Sequence, residues 1–264
     1  MQNVFSGYNH RQPMATLAII QARMSSTRLP GKVLMDIASG TTVLECMLAR
    51  VAESDEIDRT VVATTTNEKD RVLIDFLNSH NVPYFAGSED DVLDRYYQTA
   101  KAFGAEKGCV IVRMTSDCPL IDPRVIDDTI QYFKKGDFDY ASNNLEPYTF
   151  ADGMDVEVFS FGALEKAWRE ASNPSHREHV TFYFWKNPGK FKIGQLMNPH
   201  EGQADYRLTL DYQEDINVLR DIYAHLYSHD PRFTMADTLA YLDAHPEIKK
   251  LNANVTRNAS WQGA

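Results

Sequence analysis

The chain has 264 residues, 43% of them hydrophobic, and its 37 acidic side chains outnumber 27 basic ones for a formal charge of -10. That length supports one α/β domain with a large core, while the acidic balance excludes the broad basic face a nucleic-acid binder needs. No stretch approaches the roughly eighteen apolar residues of a membrane span, and the spacing of Cys46, Cys109 and Cys118 fits neither a disulfide framework nor a zinc knuckle.

Residues 1–13 (MQNVFSGYNHRQP) are polar and lack the apolar run of a secretory signal, so they read as a flexible arm on a cytoplasmic protein. Residues 14–264 read as one domain. The apolar run Leu17-Ala18-Ile19-Ile20 predicts a buried strand. It is followed by Gln21-Ala22-Arg23-Met24-Ser25-Ser26-Thr27-Arg28-Leu29-Pro30-Gly31-Lys32, a loop with three cations and no acid. In open α/β sheets ligands bind beyond the carboxyl ends of strands, so Arg23, Arg28 and Lys32 are placed to hold a polyanion, with a nucleoside triphosphate the natural candidate. The lone Gly31-Lys32-Val33 is not a P-loop, so side-chain cations must carry much of the phosphate binding.

A helix is predicted over Thr42–Val51, capped by Thr41 or Thr42, then a strand over Thr60–Thr64 and a helix through Leu77. A strand over Val82–Ala86, a helix over Asp90–Phe103 and a strand from Cys109 to Val112 follow. This alternation predicts a three-layer αβα, Rossmann-like architecture around a mostly parallel sheet. The turn Thr64-Thr65-Thr66-Asn67 has small hydroxyls that suit either a base contact or helix capping. In Thr115-Ser116-Asp117-Cys118-Pro119, the proline ends the strand and leaves Asp117 at the same sheet edge as Arg23. There it reads as a helix cap or as a carboxylate for the Mg²⁺ that accompanies a triphosphate. Asp122 is expected to cap a helix starting at Pro123.

Asp137-Phe138-Asp139 opens a strand predicted over Phe138–Ser142, and such a pair would also suit a metal-dependent glycosyltransferase. Residues 143–187 read as a small inserted region that shapes an acceptor site or dimer contact. Within it Asp155 and Glu157 share one face of an alternating segment, suited to sugar hydroxyls, a second ion or simple solvation. His176 and Arg177 are candidates to contact an anionic acceptor; the spacing of His176 and His179 lacks a zinc motif. The aromatic run Phe182–Trp185 reads as core or dimer contact. A strand predicted over Tyr206–Asp211 ends at Asp211, and Glu214 and Asp215 fall in the first turn of the next helix, where acids complement the helix dipole. From Phe233 onward the sequence shows a helix and a polar tail with no readable motif.

The run from Ile20 to Lys32 resembles the amino-terminal signature of sugar cytidylyltransferases, the CMP-ulosonic and sialic acid synthetases, and is most similar to the spore-coat polysaccharide branch. The resemblance extends to about Leu226. It implies a cytidylyltransferase that moves CMP from CTP to a sugar or sugar-acid acceptor with release of pyrophosphate. Carried over residue by residue, it implies nucleotide contacts at Gln21, Ala22, Arg23, Ser25, Thr64, Thr65 and Arg95, and Mg²⁺ ligands at Asp117 and Asp211. At Arg95 the chain has Asp-Val-Leu-Asp-Arg where the ulosonic-acid branch has Gly-Thr-Glu-Arg. A homodimer is implied, with CTP and a small anionic or sugar-like acceptor as partners. The competing readings are a glycosyltransferase that uses Asp137 and Asp139, and a nucleotide-binding protein without turnover.

Overall fold

The computed structural model describes residues 16–257; the arm expected over residues 1–13 lies outside them. In chain order the strands are β1 (Thr16–Gln21), β2 (Asp36–Ala38), β3 (Thr41–Thr42), β4 (Arg59–Thr65), β5 (Tyr84–Gly87), β6 (Val110–Thr115), β7 (Tyr140–Ser142), β8 (Glu157–Ser160) and β9 (Ile193–Gln195). Seven of them form one sheet in the order β5-β4-β1-β6-β8-β7-β9, while β2 and β3 make a separate hairpin. β1 lies parallel between β4 and β6, and β5 extends the sheet parallel to β4. β8 alone runs against its neighbours β6 and β7, and β9 closes the far edge parallel to β7. The mostly parallel sheet expected from the sequence is therefore present.

The strand residues explain the layering. Along β1, Ala18 and Ile20 join one apolar cluster while Leu17 and Ile19 join another, all four with no exposure, as a strand covered on both faces requires. Helices α1 (Val43–Val51), α2 (Arg71–Ser79) and α4 (Pro123–Lys135) pack on the first face. On the second face α3 (Val92–Ala102), α5 (Phe161–Glu170) and α7 (Phe182–Trp185) bury their apolar sides. A short helix, α6 (Pro174–Glu178), leads into α7. α8 (Gln213–Ile222) and α9 (Met235–Ala244) return to the first cluster, and α10 (Pro246–Lys249) follows.

Local signals set several boundaries. Thr42 caps α1 in a reciprocal arrangement with Glu45, and Asp122 caps α4 as expected while also accepting from the Met235 amide at 2.7 Å. The 143–187 stretch contributes β8 to the sheet and α5 to its second layer. Phe184 packs 5.2–5.3 Å from the rings of Phe159 and Tyr140, which makes the aromatic run core. The strand expected over Tyr206–Asp211 is an extended segment with one bridge, Asp152 to Arg207; its other backbone bonds go to loops, from Leu208 N to Asp152 O and from Leu210 N to Asp117 O.

Candidate active site

The loop after β1 is held from within the fold. Asp70, fully buried, accepts from the Met24 amide at 2.6 Å and from the Thr65 hydroxyl. Gly31 N donates to Met24 O at 3.0 Å, and Gly31 itself sits at φ +73, the left-handed conformation that suits glycine. Ser25 Oγ donates to Glu89 Oε1 at 2.8 Å, and Asn67 donates to the other carboxylate oxygen. With its backbone fixed by Asp70 and Gly31, the loop leaves the Arg23 charge near Glu89 and Arg95 and turns Arg28 and Lys32 toward the carboxyl edge of the sheet.

There they meet the two expected acids. Lys32, 8% exposed, donates through Nζ to Asp117 Oδ2 at 2.6 Å, to Leu210 O at 2.6 Å and to Asp211 Oδ1 at 2.9 Å. Arg28 Nη2 donates to the same Asp211 Oδ1 at 2.6 Å, with its guanidinium 5.5 Å from the centre of the Tyr212 ring. Burial opposes the Lys32 charge, but Asp117 and Asp211 outweigh it and raise its pKa. Burial likewise opposes the Asp211 charge, and Lys32 with Arg28 overcomes it to bring this carboxyl down to about 2. Asp117 and Asp211 thus already share one cation. Two carboxylates converging on one positive charge, open to phosphate oxygens, suit a divalent ion completed by substrate. Among the described residues no group of three or more His, Cys, Asp or Glu is arranged to hold a metal by itself.

Asp211 is positioned by residues with little sequence signal. Asp215 was expected to serve only the helix dipole. It is fully buried, accepting from the Asp211 and Tyr212 amides at 2.8 and 2.9 Å and from Arg207 through Nε and Nη2, both at 2.9 Å. Arg207 also donates to Asp152 Oδ2 at 2.7 Å, and Asn252 Nδ2 donates to Asp215 Oδ1 at 2.9 Å. Only the acid at the third helical position, a capping pattern, could have flagged this cluster.

Asp155 and Glu157 line the same cleft as Asp117, Arg207 and Asp211. Glu157 is buried, accepting from Arg113 Nη1 and from the Tyr140 hydroxyl at 2.7 Å. Asp155 accepts from Arg257 Nη2 at 2.6 Å, and its side chain keeps 23% exposure. Burial pushes the Asp155 carboxyl up to about 7; Arg257 pulls against this, and Asp152 and Glu157 add to it.

Other expected residues lie elsewhere. Arg177 is not in this cleft: it donates to both Asp91 carboxylate oxygens, at 2.6–3.0 Å, and to Trp168 O at 2.7 Å, which ties α6 to the start of α3. His176 packs edge-on against Tyr183 at 5.6 Å. An ion pair and an aromatic contact engage these two side chains, and neither is among the residues that line the cleft with Asp117 and Asp211. Asp137 and Asp139 clamp Lys192 near β9, through its ammonium and its amide, away from the cleft. Arg95 has no exposure; it donates to Ser88 O and Glu89 O, while its Nε and Nη2 have no partner. Burial, reinforced by Arg23, lowers Arg95 to about 10. Gln21 Oε1 and Thr64 Oγ1 are likewise buried without a partner, whereas the Thr65 hydroxyl is committed to Asp70. Ala22 continues the β1 pairing, its backbone N–H donating to Ala63 O at 3.1 Å. Among the described residues no helix is long and apolar enough to cross a membrane.

The chain is 38% identical over 249 residues to uncharacterized protein MJ1063 of Methanocaldococcus jannaschii, covering 93% of this chain and 98% of that one. It is 34% identical to the spore coat polysaccharide biosynthesis protein SpsF of Bacillus subtilis, over 88% of this chain and 95% of SpsF. A solved cytidylyltransferase from Leptospira borgpetersenii superposes with a TM-score of 0.82 at 33% identity, covering 92% of this chain and 99% of that one. A family model described as cytidylyltransferase matches residues 17–247, which takes in the cationic loop, both sheet-edge aspartates and the Arg207–Asp215 brace. With two thirds of both curated relatives and more in register, and the loop and carboxylates meeting at one sheet edge, this chain belongs to the cytidylyltransferase family.

Proposed function

We propose that the protein transfers CMP from CTP to a sugar or sugar-acid acceptor and releases pyrophosphate. The observation that carries this reading is the convergence of Arg28 and Lys32 on Asp117 and Asp211. Arg23, Arg28 and Lys32 hold the triphosphate. Asp117 and Asp211 hold Mg²⁺, which when bound neutralises phosphate charge and orients the phosphate oxygens. As the nucleotide arrives, Arg28 and Lys32 exchange carboxylate partners for phosphate oxygens, to which a guanidinium fork and an ammonium are both suited. An acceptor oxygen attacks the α-phosphorus in line, the bond to the bridging oxygen breaks, and pyrophosphate leaves. Such chemistry rests on positioning and charge stabilisation and needs no protein nucleophile.

Glu157 enters this scheme as a support: it keeps Arg113 paired at the wall of the cleft. Asp155 is the acidic side chain with an oxygen to spare for the acceptor. A CTP substrate puts the reaction in the cytoplasm, and the homodimer implied by the resemblance belongs to the same proposal, to be read by light scattering. The similarity to SpsF supports a surface polysaccharide as the destination of the activated sugar.

The experiment is pyrophosphate release with Mg²⁺, each of the four nucleoside triphosphates and a panel of sugar acids, neutral sugars and sugar phosphates. CTP-specific, acceptor-dependent release is expected. Arg28→Ala should lower kcat/KM by about 10²- to 10³-fold. Its stability should change little, because an exposed pair contributes roughly 0 to 1 kcal/mol. Near-full turnover of Arg28→Ala at both limiting and saturating CTP would remove Arg28 from the site.

A further inference from the structure

The family match ends at Glu247, yet the residues beyond it return to the cleft. Asn252, 4% exposed, anchors this return by donating to Asp215 Oδ1 at 2.9 Å and to Arg207 O at 3.2 Å. Thr256 then lines the cleft itself. Arg257 spans the loop that carries Asp155: Nη1 donates to Phe150 O at 2.9 Å, and Nη2 donates to Asn144 Oδ1 at 2.8 Å and Asp155 Oδ1 at 2.6 Å. Its guanidinium lies 4.2 Å from the centre of the Tyr148 ring. A guanidinium held by a carbonyl, an amide, a carboxylate and an aromatic face has one preferred geometry, so its partners are fixed with it.

The charges around it show what this wall can recognise. Arg207 is spent on Asp152, Asp211 and Asp215, and Arg113, at the cleft wall, is paired with Glu157. An acceptor carboxylate reaching this half of the cleft would meet guanidinium groups already neutralised. Asp155, by contrast, accepts one hydrogen bond among the described residues, and the side chain is partly open. A fixed carboxylate oxygen facing a cleft is a receptor for hydroxyl donors, and a hydroxyl that loses such a partner loses most of its discrimination.

We propose that residues 248–257 form an acceptor-selecting wall, and that Arg257 is a specificity-determining positioning residue, holding Asp155 toward the hydroxyl groups of a polyhydroxylated acceptor. This rests on the transferase reading above. Arg257 acts through Asp155 and touches no reacting atom.

The test uses the full chain as wild type, Arg257→Ala and Arg257→Lys. The acceptor probes are 3-deoxy-manno-octulosonate, N-acetylneuraminate and D-mannose, with CTP binding measured separately by calorimetry in Mg²⁺. For the probe that the wild type turns over best, Arg257→Ala should raise KM by more than 30-fold while the Kd for CTP stays within twofold. Arg257→Lys, which keeps the charge, should recover part of that loss. Amide exchange over residues 250–257 should be slow in the wild type and fast in Arg257→Ala. An unchanged acceptor KM in Arg257→Ala would overturn the proposal. So would a parallel loss of CTP and acceptor binding with a lower Tm, which would make the segment a structural brace alone. CTP binding by a wild type that uses none of the three polyols would overturn the acceptor class, whereas no CTP binding at all would overturn the transferase reading instead.

Discussion

Lys32 bridges two carboxylates that lie side by side. Its Nζ sits 2.6 Å from Asp117 and 2.9 Å from Asp211 with 10% of the side chain exposed, so removing it strips Asp117 of its cation and leaves Asp211 to Arg28 and Arg207. Breaking one side of a buried pair costs about 3 kcal/mol or more. Lys32→Met should lose about that much in urea unfolding at pH 7, and added Mg²⁺ should recover more stability in the variant than in the wild type. The pH dependence of Asp155 has the opposite sign from that of an ordinary paired acid. Its folded pKa of about 7 lies above the usual 3.8, so the native state binds the proton more tightly than the unfolded chain. The stabilisation is full below about pH 4 and is lost as pH rises through 7. For Asp211, folded at about 2, stabilisation is present above 3.8 and fades as pH falls toward 2. The Tm of wild type minus that of Asp155→Asn should therefore fall between pH 4 and 7 and level off above; a flat difference would mean that Asp155 is not shifted in the folded protein.

At the scale of elements, the extended segment 206–211 explains both what could be read and what could not. Its alternation is real: Leu208 and Leu210 are fully buried, while Arg207 and Asp211 face the cleft. Alternation reports which side is buried, not which backbone partners are used, so a segment bonded to loops reads like a strand. The partner loop comes close because residue 153 is glycine. A Cβ there would lie 2.6–2.8 Å from the backbone of Leu208 and Thr209, and its φ is +101. Gly153→Ala should cost about 2 to 6 kcal/mol from strain and overpacking together. It should also abolish turnover, because Asp152 and Asp155 stand on either side of it. Calorimetry and pyrophosphate release check the two halves; a variant with wild-type Tm would show the approach is looser than the contact distances require.

The parallel strands, the loop after β1 and the cap at Asp122 were legible because each is written within a few neighbouring residues. Asp70, Arg207, Asp215, Asn252 and Arg257 were not, since their meaning lies in partners far along the chain. The placement of His176 and Arg177 was not legible for the same reason: two polar residues on a short helix look available until Asp91 and Tyr183 are brought beside them.

Across the whole molecule, an acidic protein sets Arg28 and Lys32 at one edge of its sheet, which favours a small anion over an extended one. Binding there should show as linkage: CTP with Mg²⁺ at about 100 times its Kd adds about 2.7 kcal/mol. For a chain of this size that raises Tm by about 5 to 10 °C. UTP and purine triphosphates at the same concentration should give less, and a shift equal for all four would place base selection outside the ground state. The return of residues 252–257 to the cleft has a further consequence, in the order of synthesis. Chains emerge and fold from the amino terminus, and the cationic loop and Asp117 belong to the first half of this one. The segment that brings Thr256 to the cleft and Arg257 to Asp155 is made later. A ribosome-bound chain therefore carries Arg28, Lys32 and Asp117 before Asp211 and Arg257 have been made, and the two sides of the cleft come into being at different moments.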